Sequence, residues 1–329
     1  MRLPLILILA ALASNCTNNL PSGAQKISDS DTAFSEDVRE ISKKINESPQ
    51  DGNLYYLRGN TFFFERNFTK AIIDFQTASN LVPSNPLYQY RLGESFLELD
   101  SANYEKAKTH LSEAIKLKPD YDEAKFLMAK LTLARQQYEE FNAWFKKLEN
   151  NAEHREKVLV LKLIALKEQK DTSKAELMAD FILNEFPNNF DATMQKALLL
   201  FSKDINLSET YINKALAIDE FSAEALYTKA LILQKLQKYA DAYKVYERTL
   251  KVSPDHLFAM YNMGVIDFLF ENYQDAIKKA DQILDKSRDF SKAYILKGSC
   301  YSEMGNKKAA EVEFSAAQKL DKNLKLNLF

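Results

Sequence analysis

Glycine and proline are scarce, at seven and eight residues in a chain of 329. An all-β protein of that length needs turn signals roughly every 8 to 12 residues, and so small a supply of turn formers excludes one. Two cysteines, Cys16 and Cys300, exclude a disulfide framework. Neither sign of charge dominates: 44 Lys and Arg stand against 46 Asp and Glu, a formal net charge of -2 that gives no electrostatic footprint for nucleic acid. No apolar run reaches the roughly 20 residues that a membrane-crossing helix needs. The three histidines, His110, His154 and His256, lie 44 and 102 residues apart, which fits no zinc-ligand spacing, so neither a metal nor another cofactor is expected. Phosphate-cradling glycine loops and a nucleophile elbow are also missing, and the carboxylates sit among lysines at helical spacing as solvated faces do. Enzymatic activity is not expected. What the chain has in quantity is apolar sequence, 46% of it, enough to bury a large core and inconsistent with disorder. These balances point to an all-helical protein.

Met1-Arg2 precedes eleven uncharged, almost wholly apolar residues ending at Ala13, and residues 1–15 read as a signal peptide. The sequence Leu12-Ala13-Ser14-Asn15-Cys16 resembles the lipobox of bacterial lipoproteins, although Asn15 stands where that motif has Gly, Ala or Ser. The resemblance implies cleavage before Cys16 and lipidation of its thiol. Cleavage after Ala13 is the other reading, and it would release a secreted or periplasmic protein with a free Cys16. Thr17-Asn18 lacks the acidic residue that retains lipoproteins in the inner membrane, so the resemblance implies the outer membrane, facing the periplasm. Residues 17–32 are polar and without helical period, and 16–32 are read as a lipidated cysteine with a flexible tether.

A period governs the rest. Pro49, Pro83, Pro119, Pro187 and Pro254 are separated by 34, 36, 68 and 67 residues, and Gly59, Gly93, Gly264 and Gly298 fall on the same lattice with Ala129, Leu163, Ala197 and Ala230 between them. With Tyr55, Gly59, Phe62, Ala71, Phe75, Ala78 and Pro83 in its first unit, the pattern resembles the tetratricopeptide repeat, a helix–turn–helix module. Arg58 stands where that family has Leu. The resemblance implies an all-α, right-handed α-solenoid of about eight repeats over 52–322. A capping helix, Glu36 to Glu47 within 33–51, precedes the array and a tail over 323–329 follows it. The third, fourth and fifth repeats keep the length but lose signature residues. The alternating tail, Leu324 to Phe329, either folds back on the last helix or pairs with a partner strand.

In this family the first helix of each repeat lines a concave groove. Carried over, its fifth position gives Tyr56, Tyr90, Phe126, Val160, Met194, Tyr227, Tyr261 and Ile295, with Asn60, Phe63, Arg91 and Glu94 as polar and aromatic neighbours near the N-terminal end. Lysine never occupies that position, so the carboxylate clamp of some family members is missing. Trp144 and Cys300 are expected to fill gaps between helices. The implied function is a non-enzymatic protein–protein scaffold or adaptor, lipid-anchored in the bacterial envelope. Its partners would be peptide or helical segments of other envelope proteins, not nucleic acid. The alternatives are a lipoprotein subunit of an outer-membrane assembly, secretion or pilus machine, and a regulator docking a periplasmic protease or peptidoglycan enzyme. Nothing in the sequence sets an oligomeric state.

Overall fold

A computed structural model describes residues 20–27 and 33–321. The signal segment, Cys16 and the tail 323–329 lie outside the described residues. Among those residues there are seventeen α-helices, a single 3-10 turn and no strand, and the chain divides into two compact units, 1–161 and 162–329.

In the first unit α1 (Glu36–Glu47) precedes three helix pairs: α2 (Gly52–Phe64) with α3 (Phe68–Leu81), α4 (Pro86–Leu99) with α5 (Tyr104–Leu117), and α6 (Asp122–Ala134) with α7 (Tyr138–Leu148). Each of these helices packs on the next in chain order. The division falls inside α8 (Arg155–Glu168). The second unit continues with α9 (Thr172–Glu185), then α10 (Phe190–Leu200) with α11 (Ile205–Ile218), α12 (Ala223–Lys235) with α13 (Tyr239–Val252), α14 (Leu257–Leu269) with α15 (Tyr273–Lys286), and α16 (Ser291–Glu303) with α17 (Lys307–Leu320). Here too each helix from α9 onward packs on its successor, and α14 also touches α16.

Local chemistry starts the helices where the lattice places them. Asp51, Asn85, Asn189 and Ser222 each accept a hydrogen bond from a first-turn amide of α2, α4, α10 and α12, which satisfies a donor that has no partner inside the helix. In six of the turns between successive helices, though not in α4–α5 or α10–α11, one residue lies in the left-handed region. It is Arg66, Gln136, Lys170, Gln237, Glu271 or Gly305, with φ between 57 and 77°. The insertion near Ser101-Ala102 is the 3-10 turn Ser101–Asn103, which lengthens the α4–α5 connection.

The lattice glycines and alanines are contact points. A Cβ on Gly59 would sit 2.7 Å from the Phe75 ring, and one on Gly298 would sit 2.6 Å from the Phe314 ring, so the paired helices approach too closely there for any side chain. Ala129, Ala197 and Ala230 hold the equivalent place fully buried. The weaker repeats keep this geometry with different residues. Phe141 fills the contact in α7, fully buried, while in α11 the hydroxyl of buried Ser208 donates to the Ala197 carbonyl at 2.8 Å.

The expected flexible tether over 16–32 needs correction for 20–27. Ile27 is buried with Val38, Phe62 and Phe75, Leu20 and Ala24 pack on the cluster around Ile45 and Tyr55, and the Gln25 carbonyl accepts a hydrogen bond from Arg58. The polar composition of the segment hid three apolar residues that fit the open side of α1 and α2. Cys300 is fully buried in the α14–α16 core, where burial pushes its thiol up to about 12. Trp144 packs on the cluster of Tyr104, Leu111 and Met128, with the Lys147 ammonium 4.0 Å from its ring centroid.

Candidate functional site

The fifth residue of each first helix projects from the same place in every pair. Tyr56 on α2, Tyr90 on α4, Phe126 on α6, Tyr227 on α12 and Tyr261 on α14 are all half-buried. None of these rings stands alone. Tyr88 lies 5.3 Å from Tyr56, Tyr121 lies 5.2 Å from Tyr90, and His154 stacks on Phe126 at 5.4 Å with the planes 14° apart. In the second unit His256 lies 4.5 Å from Tyr227, and Phe290 lies 6.0 Å from Tyr261. Each partner comes from the stretch that opens the following first helix, so one side of every ring closes the step to the next repeat.

These partner rings were legible but unread. Tyr88, Tyr121, His154, His256 and Phe290 are 33, 33, 102 and 34 residues apart, on the repeat lattice itself. Judging the histidines by zinc spacing concealed that two of them are lattice members. His256 also caps α14, its Nδ1 accepting from the Ala259 amide at 3.1 Å. At the same fifth position Val160, Met194 and Ile295 are buried. There the expected row of groove side chains is interrupted, because these residues fill the core.

Of the remaining predicted residues, Phe63, Arg91 and Glu94 come together beside Tyr90 in the first unit, whereas Asn60 lines a different cleft. Arg91 and Glu94, three residues apart on α4, form an ion pair at 2.6 Å, and the Tyr90 hydroxyl donates to the other Glu94 oxygen at 3.2 Å. The Arg91 guanidinium lies 5.6 Å from the Phe63 ring and 6.0 Å from that of Tyr90, within cation–π range. Burial opposes the Arg91 charge, but Glu94 and Tyr56 more than offset it and hold the group above its ordinary range. Burial, reinforced by Glu94, pushes the Tyr90 phenol well up, and burial takes Tyr121 up to about 12. Both remain neutral hydrogen-bond donors at physiological pH. Arg91 Nε in this cluster, and separately Asn60 Oδ1 on α2, are buried without a hydrogen-bond partner.

Beside the cluster a cleft of about 620 Å³ opens between α1 and α2, lined by Asp37, Glu40, Ile41, Leu57, Asn60 and Phe64 among others. Phe64 is 75% exposed. The cluster offers aromatic faces and one unpartnered donor. With Glu94 committed to Arg91 and Tyr90, it is suited to recognition by stacking and hydrogen bonding.

Residues 223–256 and 291–324 each match a family model described as tetratricopeptide repeat. The chain carries tetratricopeptide repeats over these two stretches. A search of curated protein sequences finds no significant match. Among solved structures, an IFIT1 monomeric mutant with Gppp-AAAA is similar over 86% of this chain and 75% of that one, at 16% identity and a TM-score of 0.51. MamA from Desulfovibrio magneticus RS-1 is similar over 52% of this chain and 97% of that one, at 18% identity and a TM-score of 0.47. The IFIT1 likeness, extending over most of both chains, bears on the fold: an all-α helical-repeat structure. No helix among the described residues is long and apolar enough to cross a membrane.

Proposed function

We propose that the chain is a non-enzymatic adaptor of the bacterial envelope, anchored by a lipid on Cys16 to the periplasmic side of the outer membrane. It binds peptide or helical segments of other envelope proteins along the face carrying Tyr56, Asn60, Phe63, Tyr90, Arg91 and Glu94. The observation that carries the binding part is the half-buried aromatic set of Tyr56, Phe63 and Tyr90 beside the Arg91–Glu94 ion pair, with Arg91 Nε left without a hydrogen-bond partner. A peptide carbonyl is the acceptor that this N–H lacks. Tyrosine and phenylalanine add rigid contact area at low entropic cost.

The anchor rests on the apolar run that ends at Cys16. Docking of 20–27 gives it a spatial consequence. Four Cα steps separate Cys16 from Leu20, an extended reach of at most about 14 Å, so a lipid on Cys16 would hold the α1–α2 end close to the bilayer.

The test is affinity capture from crosslinked envelopes, with the intact chain, Cys16→Ser and Phe63→Ala/Arg91→Ala as baits. Cys16→Ser is expected to move from the membrane pellet to the soluble periplasm, since stable anchoring needs more than one acyl chain. The double variant is expected to stay in the membrane and lose its captured protein. Unchanged fractionation would remove the anchor, and unchanged capture would remove the binding face.

A further inference from the structure

Glu123, Glu153 and His154 come from two separate segments, the first turn of α6 and the stretch leading into α8, yet their ligand atoms all lie within 4.8 Å of one another. Both glutamates are exposed, whereas His154 is only 5% exposed. Neither ring nitrogen of His154 has a hydrogen-bond partner in the chain, although a buried imidazole ordinarily has one. One face of the ring is taken by Phe126, which fixes the plane in which its nitrogens point. The juxtaposition is built in. Asn151 Oδ1 accepts hydrogen bonds from the Glu153 amide at 3.0 Å and the His154 amide at 2.9 Å, and Asn151 Nδ2 donates to Asp122 at the start of α6. One side chain therefore ties the strip that carries two of the groups to the helix that carries the third.

Two carboxylates placed together repel each other, and a buried imidazole nitrogen without a donor presents a lone pair. A divalent cation answers both. We infer that Glu123, Glu153 and His154 form a binding site for a divalent transition-metal ion of the zinc type, with one imidazole nitrogen and two carboxylate oxygens as ligands and solvent completing the shell. The donor set decides the class: an imidazole beside carboxylates suits zinc and its first-row neighbours, whereas magnesium and calcium favour oxygen alone. The donors of a tetrahedral zinc ion lie roughly 3.3 Å apart, so binding would draw the two exposed glutamates in from their spacing of up to 4.8 Å. Bound metal would cross-link the entry to α8 with α6, across the step where His154 already packs on Phe126. Zinc spacing among histidines could not reveal the site, because only one histidine takes part and the repeat brings Glu123 to it from 31 residues away.

The test is equilibrium dialysis of the tag-free full chain carrying Cys16→Ser against zinc chloride, with metal quantified per chain and melting followed in parallel. One zinc ion per chain is expected, with a raised melting temperature and with calcium and magnesium binding at least tenfold more weakly. Glu123→Gln and Glu153→Gln should each weaken zinc binding at least tenfold, and His154→Asn should abolish it. Without metal, the two glutamine variants should melt no lower than the parent, which separates a metal site from a merely structural one. Glu311→Gln, on exposed α17, should bind as the parent does. Absence of stoichiometric zinc at 100-fold molar excess, zinc binding indifferent to both glutamine substitutions, or a preference for calcium would each overturn the assignment.

Discussion

Arg58 and Asp74 form a bidentate ion pair between α2 and α3, with both contacts at 2.7 Å and side-chain exposures of 1% and 0%. The same guanidinium donates to Ser42 on α1 at 3.0 Å and to the Gln25 carbonyl at 2.9 Å, so a single side chain joins three helices and the docked N-terminal segment. Burial pushes the Asp74 carboxyl up from its usual range, and the hydrogen bonds and charge of Arg58 pull against that shift. This position holds Leu in the tetratricopeptide pattern. The substitution exchanges a greasy contact for a polar clasp that closes the first-unit end of the array.

Removing one partner should expose the cost of the clasp. Arg58→Leu leaves a buried, uncompensated carboxylate and is expected to destabilise the first unit by about 3 to 5 kcal/mol. Adding Asp74→Leu should restore much of the loss, since apolar replacement of a whole buried pair is often neutral. Urea melts of the two single variants and the double variant check this, and additive losses in the double variant would contradict it.

The left-handed turn residues predict a stabilising change. Lys170 has φ 60° and Glu271 has φ 61°, conformations that cost an L-residue about 1 to 2 kcal/mol and glycine almost nothing. Lys170→Gly and Glu271→Gly are each expected to gain up to about 1 kcal/mol. Gly305→Ala, at φ 77° with open space around its Cβ, should lose a similar amount through backbone strain alone. Thermal melts of these variants provide the readout.

His110 gives the first unit a pH dependence. Its ring stacks on Phe96 at 5.5 Å and its Nδ1 is 2.8 Å from Gln89 Oε1, and burial pulls it down from 6.5. A base with a depressed folded pKa binds more protons when unfolded. Its contribution is therefore present above about 6.5, the unfolded value, and is lost as pH falls through the window between that value and the folded one. Between pH 7.5 and 5.5 the parent should lose more stability than His110→Gln does.

The fold was legible because a tight helix–helix contact admits few residues. Gly59, Gly298, Ala230 and all their equivalents but Leu163 are small, and their spacing carried the period through the chain. The central repeats were fainter because Phe141 and Ser208 meet the same geometric demand by other means, one filling the gap and the other hydrogen-bonding across it. The candidate site was less legible. The sequence marks Tyr90 and Tyr227 as a recurring aromatic position, but how far each ring faces solvent depends on a residue of the next repeat, Tyr121 for the first and His256 for the second. That covering residue is tyrosine, histidine or phenylalanine, with no single type to betray it. Docking of 20–27 was hidden for a related reason: three apolar residues in a polar stretch show no period.

Partners of the proposed adaptor are expected to bind the first-helix face at the cluster of Phe63, Arg91 and Tyr90. A photo-crosslinking amino acid placed at Phe63, and separately at exposed Ser112 on the second helix of the neighbouring repeat, tests it in living cells. A discrete adduct from position 63, lost on adding Arg91→Ala, with none from position 112, is the result expected. Equal adducts at both positions, or an adduct from position 112 alone, would contradict the claim.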